Sequence, residues 1–252
     1  MTVTRCSPFN EDGDVKRHHC AGVDGACSGW ITVWEAGDAL KFAYYATVTE
    51  LAAALRNVDV LGVDIPLGLS EHAPRAADVQ ARRFVGGRRA CSIFAAPLRG
   101  ILQAETQAEA SALHRVLDHE KQRGFGVQSF ALLSKIRDWD SALRADTAWA
   151  EHVFEVHPEV SFAALAGGQG LAAPKKSGEG HRQRRTLLGD HYGAARVASL
   201  LERVPRACAQ PDDVLDALAA HWSAQRIAAG AAGSLPAVVE RDACGVRMGI
   251  YY

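Results

Sequence analysis

The tripeptide Gly-Val-Asp occurs twice in the first 64 residues, at Gly22-Val23-Asp24 and at Gly62-Val63-Asp64, and each copy closes a short apolar run. Short apolar runs bounded by glycine or proline are typical of buried strands, so the pattern predicts two strands that each end in an acid. If these strands are parallel neighbours, both acids emerge at one edge of a sheet, with their backbones roughly 5 Å apart.

Two carboxylates at that spacing repel each other by about 3 kcal/mol at an effective dielectric near 20. A positive charge is therefore expected between Asp24 and Asp64, and a divalent cation is the simplest candidate. The alternative is that each acid is an ordinary turn residue at the end of a strand. The occurrence of two such acids favours a site.

The chain around this repeat has the pattern of an α/β protein. Alternating bulky and β-branched residues at 30–34 and an apolar segment at 40–46 predict two strands that form an antiparallel meander with the first. Thr49 is predicted to cap a helix at 50–56, and a further strand is predicted at 152–156. Together these elements predict a mixed five-stranded sheet flanked by helices.

Residues 74 to about 146 are predicted to be helical and rich in surface residues, which indicates an insertion or lid after the fourth strand. Its helices are predicted at 74–84, at 103–122 and from 129 onward, with a glycine-rich, basic loop at 85–94. After the fifth strand, helices are predicted at 158–166, 177–188, 193–203 and 211–229, and an edge strand at 245–251.

Two more acids, Asp213 and Asp216, lie three residues apart at the start of the last long helix, and therefore on one helical face. Asp213 also fits a helix cap that complements the helix dipole, whereas Asp216 lies one turn further in, beside the apolar stripe. Carboxylate oxygens without nearby cysteines suit Mg²⁺ or Mn²⁺. Two such ions about 4 Å apart would activate a water and stabilise the leaving oxygen of a phosphodiester.

Five acids are candidate catalytic residues, and all of them except Glu155 are also candidate metal ligands: Asp24, Asp64, Glu155, Asp213 and Asp216. Two basic clusters are candidate phosphate-binding sites: Arg82, Arg83, Arg88 and Arg89 in the first, and Lys175, Lys176, Arg182, Arg184 and Arg185 in the second. Such clusters are more often solvated faces, but glycines beside the first leave backbone amides free to approach an anion. His157 fits a site role and simple packing beside Pro158 equally well.

The composition limits the partners and the setting of the chain. It has 252 residues and a formal net charge of −1, so contact with nucleic acid must come from local patches. Its six cysteines form no Cys-x-x-Cys pair, which argues against a zinc ribbon or a disulfide framework and favours a cytoplasmic location. No apolar run approaches the roughly 18 residues of a membrane span. We expect a disordered leader at 1–17 and a single domain over 18–252. The sequence does not define the oligomeric state.

The order of strands and acids resembles the ribonuclease H-like fold, and Asp213-Val214-Leu215-Asp216 is similar to the final catalytic helix of RuvC-type Holliday-junction resolvases. The chain resembles more closely an uncharacterised family of predicted nucleases of that fold, domain of unknown function 429. The resemblance rests on six segments in the expected order: 22–25, 64–69, 155–162, 175–180, 212–217 and 245–251. One departure is Ala26-Cys27-Ser28-Gly29-Trp30, where the family usually has Cys-Pro-Gly-Gly-Trp.

The resemblance implies a metal-dependent phosphodiester hydrolase, a predicted nuclease that uses two divalent ions and acts on nucleic acid or another phosphoester. Asp24 matches the first-strand acid that bridges both metals, and Asp64 matches the fourth-strand acid. Either Asp216 or Asp213 matches the acid of the last helix. Glu155 and His157 belong only to the motif of this family.

Two other functions stay open at this point. An actin-like or sugar-kinase-type phosphotransferase uses the same core fold, but such enzymes usually carry two copies of the domain. A non-catalytic binding module of the same fold is the other alternative, against which the surviving acids weigh. The substrate, whether RNA, DNA, a branched junction or a small phosphoester, is not defined by the sequence.

Overall fold

A mixed five-stranded sheet forms the centre of the protein, whose computed structural model describes residues 19–120 and 124–252. Its strands are β1 (Cys20–Ala26), β2 (Gly29–Ala36), β3 (Ala39–Tyr45), β4 (Val60–Val63) and β5 (Val153–Glu155), in the spatial order β3-β2-β1-β4-β5. The β1–β2 and β2–β3 pairs are antiparallel, whereas β1–β4 and β4–β5 are parallel. This α/β architecture confirms the predicted fold class and is consistent with a ribonuclease H-like fold. The predicted leader at 1–17 lies outside the described residues.

The alternating side chains of β2 divide the core between the two faces of the sheet, because neighbouring residues of a strand point to opposite faces. Trp30 and Trp34 pack into an apolar cluster on one face. Ile31 and Val33 pack into a second cluster on the other. The sheet is thus buried on both sides, which places any accessible site at one of its edges.

The first face is covered by α1 (Val48–Ala54), α5 (Leu133–Ala145) and α6 (Thr147–Ala150). Leu51 of α1 and Trp139 of α5 are completely buried in this cluster. The helix α1 begins two residues earlier than predicted: its cap is Thr47, whose side chain accepts a hydrogen bond from the Glu50 amide, and not Thr49.

The second face is covered by α10 (Pro211–Ala228), and further out by α7 (Pro158–Leu165), α8 (Gly178–Tyr192) and α9 (Ala194–Arg203). The alanines of α10 allow it to lie directly on β1, β2 and β4. Most residues of α10 from Val214 to Ala224 are buried, including the polar Asp216 and His221. A charged residue at such a position requires compensating partners, because an unpaired buried charge is costly.

The chain between β4 and β5 is largely helical, as predicted. In the described residues it contains 3₁₀ helices at Gly87–Ser92 and Arg99–Gln103, and the helices α2 (Ala76–Val85), α3 (Gln107–Leu117), α4 (Val127–Ala131), α5 and α6. The helix predicted at 103–122 is shorter, since Thr106 caps its start by accepting from the Glu109 amide. The predicted loop at 85–94 is mostly a 3₁₀ helix.

The C-terminal part differs from the prediction of a single edge strand. Two strands, β6 (Ser234–Arg241) and β7 (Arg247–Tyr251), form a separate antiparallel sheet. A bridge between Val156 and Tyr251 connects it to the end of β5. The strand β6 escaped prediction because Pro236 argues against a strand and because none of its residues is fully buried. In the described ranges, no helix has the length and apolar character that crossing a membrane requires.

Candidate metal centre

The first two acids follow the parallel pairing of β1 with β4. The last paired residues are Val23 and Val63, and the Asp64 amide still donates to the Val23 carbonyl at 2.9 Å. Asp24 and Asp64 therefore lie side by side at the carboxyl edge of the two strands. The prediction that β1 ends at Asp24 is wrong, since β1 continues to Ala26 and turns into β2 at residues 27 and 28.

The glycines of the two Gly-Val-Asp copies bring the third acid to this edge. A Cβ on Gly22 would lie 2.7 Å from the Cα of His221, and a Cβ on Gly62 would lie 2.6 Å from the carbonyl oxygen of Ala220, both in the backbone of α10. Only glycine leaves room for the helix at this distance. The close approach places Asp216, near the start of α10, next to the strand acids.

The three carboxylates form one cluster. One oxygen each of Asp24, Asp64 and Asp216 lies within 4.8 Å of the other two. Asp24 and Asp216 are almost completely buried, with 7% and 2% of their surface exposed, and Asp64 is half-buried. The Gly25 amide donates to Asp24 Oδ1 at 2.7 Å and so holds that carboxylate in place.

One lysine partly balances the negative charge. Lys175 Nζ donates to Asp216 Oδ2 at 2.9 Å. Burial opposes the charged form of this lysine, but the attraction of Asp216, together with Asp24 and Asp64, raises its pKa above the ordinary value. Lys175 therefore stays protonated and supplies one positive charge against three carboxylates.

The raised pKa values of the three acids show that the cluster has too little positive charge around it. Burial, followed by repulsion from Asp64 and Asp216, raises the pKa of Asp24 far above its ordinary range. Burial and the charge of Asp216 raise the pKa of Asp64 to about 8. Burial raises the pKa of Asp216 to about 6, against the opposing pull of Lys175. Three oxygen donors in this electrostatic state fit a hard divalent cation, which neutralises such a cluster.

The cluster opens into a cleft of about 520 Å³. Among the described residues, four with cationic side chains line it beside the acids: Arg89, Lys135, Lys175 and Lys176. Lys135, from α5, was not predicted. Its Nζ donates to the Gly29 carbonyl at 3.3 Å and lies 4.9 Å from the ring centre of Trp30. A Cβ on Gly25 would lie 2.8 Å from that Nζ, so this glycine makes room for the lysine next to Asp24.

Two of the candidate catalytic acids have other partners. Asp213 Oδ2 accepts from the Gln210 amide at 2.9 Å within a capping box at the start of α10. Glu155 is buried in an ion-pair network, in which Arg75 donates to both of its oxygens at 2.7 Å and the Leu67 amide donates at 2.9 Å. Neither residue belongs to the three-carboxylate cluster, so their catalytic roles find no support in its geometry.

The candidate His157 lines the cleft but serves as the cap of α7. Its Nδ1 accepts from the Glu159 amide at 3.2 Å. Burial and the nearby charge of Lys175 lower its pKa to about 4, so the ring is neutral at physiological pH. The structural role that was the alternative for His157 is thus that of a helix cap at the rim of the site.

The first basic cluster is divided among different surroundings. Arg89 lines the cleft and pairs with Glu159 at 3.4 Å, while also donating to the Ser92 hydroxyl. Arg82 donates to the Ile93 carbonyl at 2.8 Å. Arg83 is exposed, and the Arg88 side chain lies outside what the structure describes. Of the described side chains in this cluster, Arg89 is the one that lines the cleft.

The second basic cluster is divided in the same way. Lys175 and Lys176 line the cleft. Arg184 is buried, and its Nη2 donates to both oxygens of Glu159, a cleft-lining residue, at 2.9 and 3.0 Å. Arg182 and Arg185 line a separate, shallow groove on α8. The cationic side chains that line the cleft beside the acids thus come from three segments that are far apart in the sequence.

The fold and the acidic cluster together define an α/β protein with a candidate metal centre at the edge of a mixed sheet that is consistent with a ribonuclease H-like fold. The chain belongs to the family described as protein of unknown function (DUF429), whose model matches residues 22–241 and therefore includes all three acids of the cluster. No curated protein and no solved structure matches the chain.

Proposed function

We propose that this protein is a divalent-metal-dependent phosphodiester hydrolase that acts as a nuclease. The observation that carries the proposal is the convergence of Asp24, Asp64 and Asp216, whose oxygens lie within 4.8 Å of one another. Carboxylates crowded in this way destabilise the native state without a cation, and strongly perturbed acids in a cleft are typical of functional sites. The cytoplasmic location also stays part of the proposal; Cys20, Cys27, Cys208 and Cys244 are free thiols.

The three acids are the residues that would hold Mg²⁺ or Mn²⁺, and two ions remain the expected number. When bound, such ions supply Lewis-acid chemistry, which lowers the pKa of an attacking water and stabilises charge on the leaving oxygen. Asp24, whose charged form both Asp64 and Asp216 oppose, would be one of the ligands. The pairing of Asp213 with the Gln210 amide leaves it the role of orienting α10 and hence Asp216.

The cationic side chains of the cleft would bind and orient the phosphate. Lys176 is exposed and Arg89 and Lys135 are half-buried, so a phosphate in the cleft can reach all three. Fixed positive groups around the scissile phosphate stabilise the charge that develops on its oxygens. The pKa of about 4 makes His157 a weak base, and its Nδ1 already caps a helix, so the removal of a proton from water is assigned to the three acids and not to this ring.

The test is Mn²⁺-dependent cleavage of a mixed panel of single strands, duplexes, RNA–DNA hybrids and a four-way junction. Asp24→Asn and Asp216→Asn should abolish cleavage and leave the fold intact. Asp213→Asn is the matched control, since the asparagine side-chain oxygen can still accept from the Gln210 amide, and it should retain most activity. Equal activity in the wild type and all three variants would refute the mechanism. Hydrolysis of ATP in place of any cleavage would favour a phosphotransferase.

A further inference from the structure

Two large apolar side chains are exposed at the cleft that holds the acids. Phe94, which follows the 3₁₀ helix Gly87–Ser92, is 45% exposed, and Leu132, between α4 and α5, is 37% exposed. Both line the cleft. Single exposed apolar residues are ordinary, but two from separate segments in one charged cleft indicate a ligand with an apolar part.

The rest of the cleft indicates what that ligand carries besides its apolar part. Arg89, Lys135 and Lys176 line the same cavity, so the ligand is also anionic. Base–aromatic stacking beside a positively charged groove is the usual way in which proteins hold a nucleic-acid strand without reading its sequence. A nucleotide combines both features, a flat apolar base and a phosphate.

The depth of the acids limits the form in which a nucleotide arrives. Asp24 and Asp216 are almost completely buried, so a phosphate reaches them only by entering the cleft, and the attached nucleoside follows. The volume of about 520 Å³ lies in the range of pockets that enclose one small ligand. A base enters such a pocket only after unstacking, which costs a few kcal/mol and is least costly for a base that is already single-stranded.

We infer that the cleft binds an unpaired nucleotide of a single-stranded nucleic acid, with its base stacked on Phe94 and in contact with Leu132. The inference rests on the proposed function for the role of the acids, and it narrows the substrate to single strands. Neither Phe94 nor Leu132 belongs to an apolar core cluster in the described residues. Their side chains are therefore replaceable without loss of the fold.

The experiment measures binding separately from cleavage. A short fluorescein-labelled oligothymidylate, its duplex with the complementary strand, and an abasic strand of the same length are titrated with the full chain by fluorescence anisotropy, with Ca²⁺ in place of Mn²⁺. We expect the single strand to bind more tightly than the duplex. Phe94→Ala should weaken single-strand binding about 5- to 150-fold, the equivalent of about 1–3 kcal/mol for one stacked base, and Phe94→Trp should retain it.

Two controls isolate the stacking contact. Phe94→Ala should not change binding of the abasic strand, because that strand has no base to stack. Val116→Ala should not change binding of any strand, because Val116 is 74% exposed on α3 and does not line the cleft. A duplex bound as tightly as the single strand, a Phe94→Ala variant with wild-type affinity, or no binding of the single strand would each overturn the inference.

Cleavage of the same strands in Mn²⁺ distinguishes this inference from the proposed function. Binding that depends on Phe94, without cleavage by the wild type, would leave the base site standing and remove the hydrolase. Cleavage of single strands that is equal in wild type and Phe94→Ala would support the hydrolase and remove the base site, since the acids would then work without a stacked base.

Discussion

Substitution of Gly22 by alanine tests the link between the sheet, the last helix and the acidic cluster. A Cβ at this position would come closer than 3.0 Å to the backbone of α10, at the carbonyl of Ala217 and at the amide and Cα of His221. All of these atoms belong to the helix backbone, so no side chain can rotate away. The helix itself has to move away from β1.

The expected cost follows from this geometry. Overpacking of a well-packed core usually costs about 1–3 kcal/mol, and a clash with backbone belongs at the upper end of that range or beyond it. A loss of about 3 kcal/mol lowers the Tm of a chain of this length by about 6–12 °C, at 2–4 °C per kcal/mol. Asp216 precedes Ala217 on the same helix, so the movement also carries this ligand away from Asp24 and weakens Mn²⁺ binding.

The assay is thermal unfolding of the wild type and Gly22→Ala with and without Mn²⁺, together with calorimetric titration of Mn²⁺. Gly178→Ala is the matched control, because a Cβ at this first residue of α8 meets nothing nearer than a flexible arginine side chain at 3.6 Å. Gly178→Ala should keep both the wild-type Tm and the wild-type Mn²⁺ affinity. A Gly22→Ala variant that melts and binds Mn²⁺ like the wild type would refute the reasoning.

Three further changes test the electrostatics. In EDTA, the Tm of the wild type relative to that of an Asp64→Asn, Asp216→Asn double variant should fall as the pH rises from about 4 to about 8: Asp64 and Asp216, with pKa values raised to about 8 and about 6, hold protons that the unfolded chain has released. A Tm difference independent of pH in this window would contradict the raised values. Lys175→Met should bind Mn²⁺ at least about tenfold more tightly by calorimetry, because it removes a cation that is hydrogen-bonded to Asp216 and competes with the metal ion. An unchanged Mn²⁺ affinity would exclude competition between Lys175 and the ion. Glu155→Gln should lose about 1.5–3 kcal/mol of stability in denaturant unfolding, because the buried Arg75 keeps Asp78 but loses one of its two charged partners, while the Mn²⁺ affinity stays unchanged.

The core of the fold was accessible from the sequence because periodicity reports directly on burial. The alternation at Trp30 to Trp34 identifies a strand whose two sides face different clusters, and the structure has that arrangement. The positions of Asp24 and Asp64 at the edge of the sheet, and of Asp216 one turn into α10, could be predicted for the same reason. Local pattern fixes on which side of an element a residue lies.

Other parts of the site depend on contacts that no local pattern encodes. Lys135 reaches the acids because α5 is anchored by Trp139, whose ring lies edge-on to Trp30 at 5.5 Å. Glu155 ends β5 much as Asp64 follows β4, but its partner Arg75 is 80 residues away in the chain. The alternation of a strand does not distinguish an acid that faces a metal site from an acid that faces a buried arginine.

Glycine and aspartate have separate physical roles in the repeated tripeptide. The aspartates supply the charge of the cluster, whereas Gly22 and Gly62 lack a Cβ and so leave the space that the backbone of α10 occupies. An Ala-Val-Asp sequence would preserve both strand acids, their register and their repulsion, and would still hold Asp216 at a distance. The acids alone therefore do not specify the centre: the two glycines position the third ligand, and without them the remaining pair has the ordinary character of strand-end turn residues.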